Sequence, residues 1–158
     1  MGSISRSISA VALTRRAIAA LVVAATAWAL LAYLRDPPWL IAITSGMRPE
    51  TMDASGRHYR WMGGHASLFV PSDARLVSIP LRTTFDAPAD QPVTVSITID
   101  DRPVDRIVLT DAQWRLSSFR LPPRGRPRRV RRVDIRVDRT RDDNRGAAVG
   151  DVTTVRTP

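Results

Sequence analysis

Two hydrophobic periods divide the chain. From Ala17 to Leu34 the segment AIAALVVAATAWALLAYL carries no charge, with Arg15 and Arg16 before it and Arg35 and Asp36 after it. As a helix, a run of this length reaches about 27 Å at about 1.5 Å per residue, close to the ~30 Å hydrocarbon layer of a bilayer. Backbone polar groups in lipid must bond within their own segment, so a spanning stretch here is helical. Pro37 and Pro38 stop it.

Beyond about residue 58 the period is two. Val93, Val95, Ile97 and Ile99 alternate with Thr94, Ser96 and Thr98, and Val133, Ile135 and Val137 alternate with Asp134, Arg136 and Asp138. Each pattern predicts a strand with one buried face. Val77, Ile79 and Leu81 predict another, and Trp114, Leu116 and Ser118 a less regular one. Further short strands are expected near 58–62, 65–70, 104–109 and 147–155. Gly63-Gly64 reads as the turn between the first two, and Asp100 to Pro103 as the turn of a hairpin. Pro122, Pro123, Gly125 and Pro127 break the chain before the strand at 130–138. The prediction is a mainly β protein, an antiparallel β-sandwich of jelly-roll type preceded by one N-terminal transmembrane helix. Residues 1–16 read as a cytoplasmic tail, 17–35 as the transmembrane helix (a signal anchor), 36–57 as a connector and 58–158 as the sandwich. Within the connector, Trp39 to Ile43 is apolar and fits either a membrane interface or a first strand.

Charge sets the orientation. Arg6, Arg15 and Arg16 precede the apolar run, and no acid occurs among the first 35 residues. The positive-inside bias then keeps the N-terminus in the cytoplasm and exports the C-terminal domain. A cleaved signal peptide is the rival reading, because Ala25-Thr26-Ala27 has the small-x-small pattern. Cleavage there would leave a short apolar core and an apolar new terminus. Both readings export the domain.

Composition adds exclusions. With no cysteine among 158 residues, disulfide scaffolds, cysteine zinc sites and thiol catalysis are ruled out. The net charge is +9, and all 24 basic residues are arginine. Such exclusive arginine use fits codon bias in a GC-rich genome better than a nucleic-acid surface, which mixes Lys with Arg and interleaves aromatics. No nucleic-acid partner is expected.

Several groups carry candidate chemistry. Tyr59, Trp61 and Trp114 offer aromatic faces for ligand stacking, although their places in period-two segments also suit core positions. Between Arg120 and Arg132 lie seven arginines. Arg124, Arg126, Arg128 and Arg129 are the candidate anionic-surface residues, since closely spaced guanidiniums pair with phosphate, and a solvated loop is the competing reading. His58 and His65 flank the Gly-Gly turn and would face one another across a hairpin, but two histidines make a poor metal site. Asp100-Asp101 and Asp142-Asp143 read as turn formers, with calcium at Asp142, Asp143 and Asn144 a lesser alternative. No catalytic residue, metal or cofactor is expected, and no catalytic motif is present.

One resemblance joins these segments. Gly46-Met-Arg-Pro-Glu50, Tyr59-Arg-Trp61, Gly63-Gly64, Ala66-Ser-Leu68, Val95 to Asp100, Trp114, Leu121-Pro122, Asp143-Asn-Arg145 and Ala148-Val-Gly150 follow a helix in the chain. In that order they resemble the C-terminal exported β-sandwich of bacterial integral-membrane glycosyltransferases that use polyprenyl-phosphate sugars. The resemblance covers about 110 residues. It implies a sandwich of carbohydrate-binding outline, galactose-binding-like, in a bacterial inner membrane protein with a periplasmic or extracellular domain. The multi-helix catalytic region of that family has no counterpart here, so no sugar-transfer residue carries over. The expected function is a membrane-anchored, non-enzymatic module beside cell-envelope glycan machinery. It would hold lipid through residues 17–34 and bind a glycan or a membrane glycosyltransferase. The alternatives are an assembly subunit docking through Ala17, Ala20, Ala24 and Ala27 on one helix face, or a remnant of a larger glycosyltransferase.

Overall fold

A computed structural model describes residues 4–87, 89–121 and 128–156, with side chains from Arg16 onward. The chain divides into two units, Met1–Pro38 and Trp39–Pro158. The first is a helix, α1 (Ile4–Arg35). It is long and apolar enough to cross a membrane. Every side chain from Ala17 to Leu34 is exposed. A short 3-10 turn follows at Pro38–Ala42.

The second unit is antiparallel throughout its described pairings. Its strands are β1 (Thr44–Met52), β2 (His58–Pro71), β3 (Ala74–Thr83), β4 (Val93–Ile99), β5 (Arg102–Leu109), β6 (Arg115–Arg120), β7 (Val130–Val137), β8 (Ala147–Gly150) and β9 (Thr153–Arg156). The pairing order is β5-β4-β7-β2-β8-β3-β6, with β1 on β2 and β9 on β3. The sheet curls on itself into a sandwich. At its ends β5 and β6 meet, where the Ser117 hydroxyl donates to Asp105.

The long strand β2 makes the curl. Residues 65–71 pair with β7, whereas residues 59–62 pair with β8. Leu68 pairs with both Thr44 and Val133, and Arg60 with both Glu50 and Val149. Strand β1 therefore runs along one edge of β2, while β7 and β8 divide the other edge between the two layers. A strand that passes from one layer to the next needs a bend, and small residues allow it. Gly63 and Gly64 lie at this fork inside a continuous strand, so they are not the hairpin turn that the sequence led one to expect. A Cβ on the nearby Gly146 would lie 2.7 Å from the Gly63 carbonyl oxygen.

The alternating positions form the core. Met62, Leu68 and Val70 of β2 pack with Val77, Ile79 and Leu81 of β3, the four apolar residues of β4, and Val133 and Ile135 of β7. Burying each such side chain contributes about 1.5–3 kcal/mol. Between β4 and β5 the turn is two residues long, Asp100 and Asp101, at φ 47° and 66°. Two consecutive left-handed residues match the right-handed twist of a hairpin.

The segment 36–57 is more than a connector. It contains β1, whose irregular register hides it from a period-two reading: pairing shifts between Ser45 and Met47 and again before Glu50. Pro49 is tolerated because β1 is an edge strand. Trp39 to Ile43 is neither a strand nor buried: it lies in the 3-10 turn and just after it, with Trp39, Ile41 and Ile43 exposed.

Candidate functional site

On the outer face of the β2-β8-β3 layer, large residues flank small ones. Trp61 pairs across to Ala148, and Ala148 to Arg82. Tyr59 pairs to Gly150. The face over β8 is thus a shallow trench, with aromatics from β2 on one side and Arg82 from β3 on the other. Trp114, just before β6, leans over the trench from the β3 side. A Cβ on Gly150 would come 3.0 Å from Pro80, a tight approach, and 3.5 Å from the Trp114 ring, an ordinary contact.

The three aromatics are in mutual contact. Tyr59 meets Trp61 edge to face at 5.0 Å between centroids and Trp114 at 5.9 Å. Such pairs contribute about 0.5–1.5 kcal/mol beyond area burial. Tyr59 is buried, 9% exposed beneath its neighbours, while Trp61 and Trp114 are half-buried.

Guanidiniums frame the rings. Arg82 stands 4.9 Å from the Trp114 centroid and 5.4 Å from that of Tyr59, Arg57 stands 5.2 Å from Trp114, and Arg145 stands 5.1 Å from Trp61. Each cation–π contact contributes about 0.5–1 kcal/mol at such exposure. Asp53 fixes the indole from the loop between β1 and β2, accepting from Trp114 Nε1 at 3.3 Å. The other Asp53 oxygen accepts from the Ser55 hydroxyl and from the Ser55 and Arg57 N–H groups at 2.6–3.0 Å. The Ser55 hydroxyl bond is the largest of the effects that lower the Asp53 pKa from 3.8 to about 2, followed by the Arg57 N–H bond; desolvation opposes them. A pKa lowered on folding adds stability that is complete above about pH 4 and lost as pH falls toward 2. The melting-temperature gap between the wild type and Asp53→Asn is therefore expected at pH 5 and should close by pH 2. An unchanged gap would remove the charge from this account.

The remaining candidates lie elsewhere. Arg124 and Arg126 fall outside the described residues, and Arg128 and Arg129 are exposed ahead of β7. The next two arginines are committed to acids: Arg131 to Asp100 at 2.8 Å, and Arg132 to Asp134 at 2.7 Å and Asp101 at 2.8 Å. His58 and His65 lie on the same strand instead of facing one another. His58 contacts Glu50 at 2.7 Å, and His65 contacts Asp134 at 3.1 Å. Asp134 is 4% exposed. Burial works to raise its pKa, but bonds from Ser67 and His65 and the Arg132 charge together hold it below the usual value. Among the described residues no group of three or more acids and histidines is placed to hold a metal ion. Asp143 is engaged instead with the Arg145 guanidinium at 2.5 Å.

The sequence singled out the aromatic trio, which the fold brings into contact, but not Arg57, Arg82, Arg145 or Asp53 beside it. Arg82 had a signal, since it follows the inward Leu81 and must point outward. The others depend on the placement of β8 between β2 and β3, which no local pattern carries.

No protein-family model and no curated protein matches the chain. Solved structures do. The CBM51-2 and INT domains of Clostridium perfringens ZmpB, in complex with GlcNAc, are 11% identical at a TM-score of 0.40, over 66% of this chain and 24% of that one. A CBM4 module is 13% identical at 0.43, over 70% of this chain and 77% of that one. The C-terminal CBM6 of LamC, a marine laminarinase from Zobellia galactanivorans, is 7% identical at 0.42, over 70% and 88%. The likeness is one of fold alone; in this chain the fold is an antiparallel β-sandwich with one apolar helix ahead of it in the sequence.

Proposed function

We propose that this protein is a non-enzymatic glycan-binding module of the bacterial cell envelope, held at the inner membrane by α1 and binding through Tyr59, Trp61 and Trp114. The carrying observation is the aromatic trio on an outward sheet face, fixed by edge-to-face contacts and by the Asp53 bond to Trp114. Sugar rings present flat C–H faces to indoles and hydroxyls to neighbouring donors. Rings held in place beforehand lose little entropy on binding. The membrane reading rests on the uncharged run of α1 and the arginines before it. Association with a membrane glycosyltransferase rests on the sequence resemblance, and the exposed Arg128 and Arg129 add a second surface for anionic headgroups.

The test is binding of the full chain in mild non-ionic detergent to a panel of envelope polysaccharides. Trp114→Ala and Trp61→Ala are each expected to weaken binding about tenfold or more, equivalent to about 1.4 kcal/mol. Both variants should keep the far-ultraviolet spectrum of the sandwich. Failure of the wild type to retain any glycan would overturn the reading.

A further inference from the structure

We infer that the ligand of this face is an acidic glycan, one whose sugar units carry a carboxylate or a phosphate; the inference rests on the glycan reading and adds the charge. Two guanidiniums, Arg57 and Arg82, stand within 5.2 Å of the Trp114 centroid. They are therefore within about 10 Å of one another, roughly one Debye length at 0.1 M salt. Among the described residues neither is held in an ion pair. Asp53, the acid bonded to Trp114, has both of its oxygens engaged by Ser55, the Arg57 N–H and Trp114. Its charge offsets one guanidinium and leaves the other.

The flank by Trp61 tilts the same way. Arg145 is paired with Asp143, but Arg48 also reaches this turn, donating to the Asp143 carbonyl. Arg57, Arg82 and Arg145 thus contact the rings, and Arg48 joins Arg145 at the turn that carries Asp143.

Stacking on a ring leaves a guanidinium the donors in its own plane, and these form a fork matched to a carboxylate or phosphate. A neutral sugar would satisfy the indole and some of the donors, but not the charge. An acidic sugar satisfies all three at once, because its C–H face and its anionic group lie on one ring.

The experiment compares matched polymers on the full chain in non-ionic detergent. Polygalacturonate is set against the same polymer fully methyl-esterified, and a phosphomannan against its dephosphorylated mannan. At least one acidic form is expected to bind about tenfold tighter than its neutral counterpart at low salt, with the advantage shrinking at high salt. Arg57→Gln, in an exposed loop, should remove most of that advantage, weakening the acidic form clearly more than the neutral one. Arg82→Lys keeps the charge but loses the planar fork, and should do the same in part.

The general basicity of the chain is controlled in two ways. Trp114→Ala must also weaken the acidic form, and Arg106→Gln, on the other layer, must not. Acidic binding that survives Trp114→Ala, or that Arg106→Gln weakens as much as Arg57→Gln, would overturn the inference as diffuse charge attraction. Equal binding of acidic and neutral forms would overturn it while leaving the glycan reading intact. Absence of all binding would overturn both. The polymer pair that responds identifies the anion as carboxylate or phosphate.

Discussion

Replacing Gly46 by alanine is expected to destabilise the sandwich by about 3 kcal/mol or more, lowering its melting temperature by roughly 10 °C. Gly46 has φ +72°, a left-handed conformation that costs an L side chain about 1–2 kcal/mol. A Cβ there would also lie 2.1 Å from the His65 carbonyl oxygen and 3.1 Å from the Ala66 Cα. Both are backbone atoms of β2, in the stretch where that strand bends between layers, so they cannot yield as the tip of a side chain can. The same change at Gly56 separates the two costs: its φ is +81°, but a Cβ would meet nothing within 4 Å. Gly56→Ala is expected to lose only the conformational part, about 1–2 kcal/mol. Thermal or urea melts of the two variants check this. Equal losses would mean that contact with β2 contributes nothing at Gly46.

The second large effect lies in the core. Ile97 is fully buried on β4, between β5 and β7. Ile97→Ala removes three carbons from a site walled by two paired strands, where collapse is limited, and is expected to cost about 3–4 kcal/mol. Leu116 is as apolar, but on β6 it points outward and is 62% exposed. Leu116→Ala is expected to change stability by about 0.5 kcal/mol or less. Equilibrium urea unfolding gives both values. A small loss at Ile97 would place the core elsewhere than the alternation of β4 puts it.

That alternation is why much of the fold was legible. In β4 the apolar set is strictly every second residue, and one face is buried as the pattern demands. Strand β1 was not legible, because Gly46 and Pro49 look like punctuation when an edge strand with register shifts is what tolerates them. Gly63-Gly64 misled for a related reason. Glycine marks a sharp change of direction, and nothing local distinguishes a reversal between two strands from a bend within one. His58 and His65 followed that error, since a hairpin would have brought them together and a continuous strand sends each to its own carboxylate.

The site shows the same division. Tyr59, Trp61 and Trp114 could be singled out from residue type, yet the face they take could not, because a half-buried strand offers two faces and a tryptophan suits either. Ala148 and Gly150, two small residues on the intervening strand, stand opposite Trp61 and Tyr59. Arg57 and Arg82 reach Trp114 from separate segments, so their convergence belongs to the tertiary structure alone.

Sharing β2 between the two layers has a consequence for unfolding. Neither layer can shed its hydrogen-bonding partner without stripping an edge from the same strand, so opening one exposes the other. The sandwich should behave as a single cooperative unit, with amide exchange protection in β7 and β8 set by one common free energy rather than by two.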